Sequence, residues 1–214
     1  MGVEKLYIAV EGVIGIGKTT LARMLADKLS ARLILEDAED NPFLAEFYRD
    51  RRRFAFQTQL SFLIQRHQQQ QLIAQQDMFR SVTVADYLYD KDRVFAAVNL
   101  NEKEMALYNR IADALGSIVP KPDLVIYLIA GAEVLLKRIR SRGRSYEKDI
   151  DRRYIEALAS AYSDYFFHYS AAPVLAVDLG ATDLTEDADS FNAILRLAQR
   201  HEGGTLYYKC SGEA

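Results

Sequence analysis

Residues 11–20 read Glu-Gly-Val-Ile-Gly-Ile-Gly-Lys-Thr-Thr and combine three glycines with a lysine and two threonines. Residues 12–19 match the pattern G-x-x-x-x-G-K-[ST], which requires a strand before it and a helix after it. Glycines let backbone N–H groups surround an anion, the lysine neutralises the outer phosphates, and the threonine hydroxyl can hold Mg²⁺. The pattern therefore predicts a P-loop that binds ATP with Mg²⁺ through Gly12, Gly15, Gly17, Lys18, Thr19 and Thr20.

A second candidate segment is rich in arginine and covers residues 135–149. Arg138 and Arg142 are four residues apart on one helix face, and Arg144 follows just after Gly143. The plainer interpretation is a solvated basic helix end, which also suits the helix dipole. Arginines on a mobile segment can instead neutralise a transferring phosphoryl group. Next to a P-loop we expect a lid over residues 138–149, with all three arginines meeting ATP and Arg142 assisting catalysis.

Other P-loop classes are disfavoured by what the chain lacks. A GTPase should carry Asn-Lys-x-Asp, which the sequence does not contain, and a remodelling ATPase usually ends an apolar strand in Asp-Glu, whereas residues 82–87 end in Asp-Tyr. The formal charge of −3 argues against a general nucleic-acid partner. No apolar run is long enough for a membrane span, and a single cysteine suits a reducing cytoplasm.

The elements around these segments alternate along the chain. Buried strands are predicted at residues 6–10, 32–35, 82–85, 124–129 and 174–177, with long helical patterns between them. Strands joined through helices favour right-handed crossovers and a parallel sheet covered on both faces. We therefore predict one α/β domain over residues 1–214, a P-loop NTPase-like three-layer sandwich with a five-stranded parallel sheet and a loose tail over about 203–214.

Several motifs in order resemble the deoxynucleoside kinases of the deoxycytidine, deoxyguanosine and deoxyadenosine kinase group, in its bacterial form. After the P-loop these are residues 33–48 (LILEDAEDNPFLAEFY), 52–63 (RRFAFQTQLSFL), 84–96 (VADYLYDKDRVFA), 137–147 (KRIRSRGRSYE) and 173–184 (PVLAVDLGATDL). The resemblance implies transfer of the ATP γ-phosphoryl group to the 5′-hydroxyl of a deoxynucleoside. It also implies a homodimer.

By this resemblance Glu36 is the carboxylate that accepts the proton of the 5′-hydroxyl. A carboxylate at the carboxyl end of a strand beside the P-loop suits that role, although Asp37, Glu39 and Asp40 are rivals. Asp86 keeps the acidic position of the family's Asp/Glu-Arg-Ser motif and is expected to share Mg²⁺ with Thr19. The motif's arginine is replaced by Tyr87; Arg93 or a lid arginine could substitute for it.

The nucleoside side is also inferred from the resemblance. Gln57 corresponds to the glutamine that pairs with the base through its side-chain amide, and Tyr48 and Glu147 to the pair that holds the sugar 3′-hydroxyl. Arg66 and Asp92 could form a base-reading pair, but the expected arginine position falls on Ile64. Three aromatic residues could line the base pocket, although their spacing favours core packing: Phe54, Phe56 and Phe79.

Two alternatives stay open at the level of sequence, and the preferred base is not determined. A nucleoside monophosphate kinase of the thymidylate kinase type shares the P-loop and the arginine-rich lid. It would need further arginines for the acceptor phosphate, and a cluster is available at Arg49, Arg51, Arg52 and Arg53. A nucleotide-binding regulatory domain without turnover is the second alternative, and the combination of Glu36 with the lid arginines speaks against it.

Overall fold

The computed structural model describes residues 7–76, 82–115 and 120–210. Strands and helices alternate over most of this length. The strands are β1 (Tyr7–Gly12), β2 (Arg32–Ile34), β3 (Thr83–Ala85), β4 (Leu124–Ile129), β5 (Val174–Asp178) and β6 (Thr205–Lys209). The helices are α1 (Lys18–Leu29), α2 (Leu44–Arg49), α3 (Arg51–Gln76), α4 (Lys91–Asn99), α5 (Glu102–Leu115), α6 (Ala132–Arg142), α7 (Arg152–His168) and α8 (Ala188–Arg200).

The strands form one sheet in the order β2-β3-β1-β4-β5-β6, and every described pair is parallel. This confirms the predicted parallel sheet with helical crossovers, but the sheet has six strands where five were predicted. The sixth is β6, which lies within the segment expected to be a loose tail. Its backbone pairs with β5, and Leu206 and Tyr208 pack against the core, so this part of the chain is ordered. Residues 211–214 lie outside the described range.

The central strands β1 and β4 are buried along almost their whole length, which explains their continuous apolar runs. One charged residue interrupts this apolar interior. The carboxylate of Glu11 is buried and accepts hydrogen bonds from the backbone N–H groups of Gly12 and Leu88 and from the hydroxyl of Tyr162. These three donors satisfy a carboxylate that would otherwise be costly to bury. Glu11 thereby ties the start of the P-loop to the segment after β3.

Helix α4 was not predicted from periodicity, because its first turn is charged and its apolar stretch is short. It packs against α3 and α7, and Lys91 and Asp92 of its first turn are buried. Helix α6 ends at Gly143, whose φ of 70° is readily adopted by glycine, and the chain then forms a 3₁₀ turn at Ser145–Glu147. Among the described residues no helix is long and apolar enough to span a membrane.

Candidate active site

A cavity of about 460 Å³ opens at the carboxyl ends of the central strands, next to the P-loop. This is where parallel α/β sheets bind ligands. The segments that line the cavity come from the P-loop, the β2–α2 and β3–α4 connections, helices α2, α3 and α4, the lid and the loop after β5. Predicted site residues that line it are Gly15, Gly17, Lys18, Thr19, Thr20, Glu36, Tyr48, Asp86, Arg138, Arg142, Arg144 and Glu147.

The P-loop has the backbone conformation expected of a phosphate cradle. Gly15 and Gly17 have φ values of 82° and 103°, a region that favours glycine. A Cβ on Gly15 would lie 2.7 Å from the side chain of Ile139, so the loop packs directly on α6. The ammonium of Lys18 donates to the carbonyl of Gly12 at 2.8 Å. Burial, and after it the positive charge of Lys91, lowers the pKa of Lys18 to about 8. A phosphate anion beside this ammonium would compensate its burial.

The structure brings Thr19 and Asp86 together although 67 residues separate them in sequence. The hydroxyl of Thr19 donates to the carboxylate of Asp86 at 2.5 Å, and the other carboxylate oxygen accepts from the backbone N–H of Glu36 at 2.6 Å. A hydroxyl and a carboxylate are the hard oxygen donors that Mg²⁺ prefers, and Mg²⁺ usually takes few protein ligands and completes its shell with phosphates and water. The donor set therefore fits Mg²⁺ bound together with a nucleotide.

Glu36 lies in the same cavity and is held by two buried cations. One carboxylate oxygen accepts from the guanidinium of Arg66, and the other accepts from the ammonium of Lys91 at 2.5 Å. Burial by itself would raise the pKa of Glu36, but Lys91 and Arg66 outweigh it and hold that pKa well below its usual range. Glu36 is therefore a fixed, ionised acceptor that can orient a hydroxyl group.

The rivals of Glu36 lie elsewhere. Asp37, Glu39 and Asp40 are exposed, and among the described residues that line the cavity none of the three occurs. Glu39 instead approaches the guanidinium of Arg144 at 3.7 Å, which links the β2–α2 connection to the lid. Of the acidic cluster at the end of β2, Glu36 alone has the geometry for a role in the cavity.

The glutamine predicted to read the base lies on the wrong side of α3. Gln57 is exposed and outside the cavity, whereas Gln59 is buried, lines the cavity, and has a carbonyl oxygen with no hydrogen-bond partner among the described residues. Gln59 precedes Arg66 by seven residues, which is almost two helical turns, so the two share one face. The structure therefore places Gln59 in the cavity instead of Gln57, and the seven-residue spacing to Arg66 was a signal that the sequence analysis missed.

Arg66 and Asp92, the tentative pair, do meet at this end of the cavity. The guanidinium of Arg66 contacts both Asp92 and Glu36, and it lies 5.1 Å from the ring centroid of Phe62. Both charged side chains are almost completely buried. Ile64, where the sequence register had placed the expected arginine, is exposed.

The lid closes one side of the cavity through contacts with α2. Arg142 donates to both carboxylate oxygens of Glu147 at 2.6 and 2.7 Å, and Tyr146 stacks on Tyr48 with ring centroids 5.9 Å apart. Burial, followed by the nearby Tyr154 and Glu147, raises the pKa of Tyr48 well above its usual value, so its hydroxyl stays protonated. Tyr48 and Glu147 both line the cavity, where one offers a hydroxyl donor and the other a carboxylate acceptor; their binding of a sugar hydroxyl stays a prediction.

Arg138 has a different environment from the other lid arginines. Its guanidinium donates to the carbonyls of Ile16 at 2.9 Å and of Thr182 at 2.6 Å. It therefore ties the P-loop to the loop after β5, where the sequence had predicted a contact with ATP. Because it also lines the cavity, a contact with ATP through its remaining N–H groups is compatible with this position.

The substitute for the motif arginine is neither of the two that were predicted. Arg93 is exposed on α4, and the lid arginines contact Glu147, Glu39 or backbone carbonyls. The second cation on Glu36 is Lys91, four residues after Tyr87. Sequence reasoning missed this lysine because α4 itself was not recognised, and a buried lysine in a first helical turn has no local signature.

The remaining aromatic and basic candidates that the structure describes lie outside the cavity. Phe54 and Phe56 pack against the hydrophobic core, as their spacing favoured, and Phe79 lies outside the described residues. Cavity-lining aromatic residues include Phe47, Phe62 and Phe95. The described lining includes none of Arg49, Arg51, Arg52 and Arg53. Arg51 pairs with Asp151 at 2.5 Å.

Comparisons with known proteins give matches over most of the chain. A family model described as deoxynucleoside kinase matches residues 8–201. A deoxyguanosine kinase of Bacillus subtilis (strain 168) is 37% identical over 190 residues, which cover 88% of this chain and 89% of the relative. A deoxyadenosine/deoxycytidine kinase of the same organism is 32% identical over 201 residues, with coverages of 88% and 89%. The structure of a deoxyadenosine kinase from M. mycoides with bound dATP matches with a TM-score of 0.77 and 25% identity, covering 89% of this chain and 99% of that chain.

Proposed function

The chain belongs to the deoxynucleoside kinase family, and we propose that it phosphorylates the 5′-hydroxyl of a purine deoxynucleoside with ATP as donor. The observation that carries this proposal is Glu36, an ionised carboxylate clamped by two cations in the cavity that also contains Lys18 and the P-loop. A nucleotide-binding domain without turnover has no need of such a group. Support for a purine comes from the relatives, since each of the three names includes a purine deoxynucleoside.

In the proposed reaction the two ends of the cavity have different tasks. The backbone of the P-loop and Lys18 hold the phosphates of ATP, and Glu36 orients the 5′-hydroxyl for in-line attack on the γ-phosphorus. The O–P bond to the hydroxyl oxygen forms as the bond to the β-phosphate oxygen breaks, and the hydroxyl proton passes to Glu36. The electron pair of the broken bond stays on the β-phosphate oxygen, so ADP is the leaving group. Arg142 and Arg144 neutralise the transferring group when the lid closes on it.

The nucleoside end is proposed to read the base and the sugar separately. Gln59 offers a donor and an acceptor to a base edge, supported by its burial and its unpartnered carbonyl oxygen among the described residues. Tyr48 and Glu147 take the sugar 3′-hydroxyl. The buried Arg66–Asp92 pair, which also contacts Glu36, limits the space left for the base.

Thr19 and Asp86 would hold Mg²⁺ with the phosphates, as their hard oxygen donors favour. The chemistry that bound Mg²⁺ supplies is neutralisation of charge on the β- and γ-phosphates. Chelation by EDTA should therefore abolish turnover, and added Mg²⁺ should restore it. Turnover that persists at full rate in EDTA would exclude this assignment.

The activity is tested with the four deoxynucleosides and the corresponding monophosphates, each with labelled ATP. We expect a purine deoxynucleoside to have the highest kcat/KM and the monophosphates to be poor acceptors. Turnover confined to a monophosphate would instead support the thymidylate kinase type. Against that type, Arg49, Arg51, Arg52 and Arg53 are absent from the described cavity lining, so a second phosphate would lack the cations proposed for it.

We further propose a homodimer that acts in the cytoplasm. Support for a dimer comes from Ile64 on α3 and Leu107 on α5, which are large apolar side chains exposed on two helices that pack together. Support for a reducing compartment comes from Cys210, a free buried cysteine. Sedimentation equilibrium of the full chain, compared with an Ile64→Glu, Leu107→Glu variant, tests the dimer, and a wild-type monomer at micromolar concentration would exclude it.

A further inference from the structure

Lys91 occupies an unusual position for a lysine. Its side chain is only 6% exposed, and it projects from the first turn of α4 into the active-site cavity. Burying an ammonium is costly unless a counter-charge is close. Its counter-charge is Glu36, with the nitrogen 2.5 Å from one carboxylate oxygen. A buried lysine whose partner is the proposed base is a candidate for a part in the reaction.

The two cations on Glu36 differ in how they are held. Arg66 contacts Asp92 as well as Glu36 and packs near the rings of Phe62 and Tyr87, at 5.1 and 5.8 Å from their centroids. Its guanidinium is therefore fixed from several sides. The ammonium of Lys91 is a compact charge with three N–H donors, of which Glu36 takes one. Lys91 thus fixes the second carboxylate oxygen of Glu36.

Position 87 explains why the cation comes from α4. In a motif of the form Asp-Arg-Ser the arginine would directly follow the metal-binding carboxylate, but here Tyr87 is fully buried and packs with Tyr7 and Ala85 in a small apolar cluster. Its side chain does not belong to the described cavity lining. A long cation cannot replace it without entering that cluster. The charge is supplied instead four residues later, by Lys91.

We propose that Lys91 is a positioning residue of the phosphoryl transfer, which fixes Glu36 for the incoming 5′-hydroxyl in place of the motif arginine. This inference rests on the proposed kinase function. The carboxylate of Glu36 is held by Arg66 on one oxygen and by Lys91 on the other, so loss of either contact lets it rotate. Lys91 lines the same cavity as Lys18 and the P-loop.

The test is a double-mutant cycle on the full chain with the preferred deoxynucleoside and ATP. Lys91→Met removes the charge and keeps much of the volume, and we expect kcat to fall on the order of 10²-fold while both KM values change less than about threefold. Glu36→Gln combined with Lys91→Met should be within about threefold of Glu36→Gln alone, because Lys91 acts through Glu36. Losses that multiply in the double variant would overturn the proposal.

Arg93→Met provides the matched control, since it removes a cation from the same helix at an exposed position. Its kcat should stay within about threefold of the wild type. If Lys91→Met does not fold, as judged by its thermal unfolding, Lys91→Gln is measured in its place and interpreted in the same way. A neutral variant at position 91 with normal kcat, beside an active wild type, overturns the inference; an inactive wild type overturns the proposed function instead.

Discussion

The two ends of the active-site cavity are built in different ways. The phosphate end is one contiguous segment, residues 12–20, whose function depends on backbone N–H groups and on Lys18 and Thr19. The nucleoside end is assembled from single side chains on separate elements, among them Glu36 after β2, Gln59 on α3 and Lys91 on α4. The phosphate end is therefore specified locally, and the nucleoside end depends on how helices are rotated and packed around the sheet.

This difference predicts how each end responds to substitution. The cradle of the phosphate end recognises an anion common to all triphosphates, so changes there should affect turnover with every acceptor equally. At the nucleoside end each side chain meets one part of one substrate. Changes there should divide into those that affect kcat and those that affect KM for the nucleoside alone.

The largest effect is expected for Lys18→Ala at the phosphate end. Lys18 is half-buried and donates to the carbonyls of Gly12 and Val13, and it is proposed to meet the transferred phosphoryl group, where charge redistributes in the transition state. We expect kcat to fall about 10³–10⁵-fold, with nucleoside binding nearly unchanged. Steady-state kinetics and calorimetric titration with the nucleoside measure both. Lys28→Ala, exposed at the end of α1, is the control; a near-normal kcat for Lys18→Ala would refute the assignment.

A slightly smaller loss is expected for Glu36→Gln, where the two ends meet. The amide keeps the shape and an acceptor but removes the charge and the basicity, so kcat should fall about 10²–10⁴-fold. Binding of ATP, measured by direct titration, should change little. The exposed neighbour provides the comparison: Asp37→Asn should be close to wild type. If Asp37→Asn is inactive and Glu36→Gln is not, the base has been misassigned.

The sharpest comparison within the nucleoside end uses two glutamines on one helix. Gln59→Ala removes the buried amide, and the lost pair of hydrogen bonds costs about 2–4 kcal/mol. The nucleoside KM should therefore rise about 30- to 1,000-fold, with the KM for ATP nearly constant. Gln57→Ala, two residues away and exposed, should leave both KM values within about twofold of wild type. The reverse result would restore Gln57 as the base-reading residue.

The smallest effect is expected for Arg51→Ala, which lies outside both ends. Arg51 pairs with Asp151 at 2.5 Å and lies 4.4 Å from the ring centroid of Tyr154. A half-exposed pair of this kind contributes about 0–1 kcal/mol to the free energy of unfolding. We expect a slightly lower unfolding midpoint and kcat/KM for the deoxynucleoside within about threefold of wild type. A monophosphate-specific loss of activity would point to the thymidylate kinase type.

Most of the fold could be predicted because its strongest signals are local. The apolar runs of β1 and β4 are long and buried, and α8 buries one apolar face with helical spacing. The two omissions have weak local signals. Strand β6 is a short edge strand with alternating exposure, ordered by pairing with β5, and α4 begins with charged residues that are buried only because α3 and α7 pack against it. Edge pairing and helix packing are tertiary events.

The sequence alone determined the phosphate end of the site, because this end is one contiguous segment of the chain. Residues Gly12 to Thr19 match the P-loop pattern, in which the glycines and the lysine bind phosphate. The spacing of these residues is sufficient to recognise the motif. Glu36 and Asp86 were assigned through the family resemblance, and both lie at the carboxyl ends of strands, Glu36 two residues after β2 and Asp86 directly after β3. The positions of these residues next to strand ends therefore indicated that they lie at the edge of the sheet that carries the P-loop.

Only the tertiary structure decided which side chains complete the nucleoside end. Gln57 and Gln59 are two residues apart in nearly the same local sequence, but a helix turns by about 200° between them, so that one faces solvent and the other the cavity. Lys91 became the second cation on Glu36 because α4 packs across α3 and directs its first turn inward. Helix rotation and packing are set by contacts distant in sequence, and no local pattern contains them.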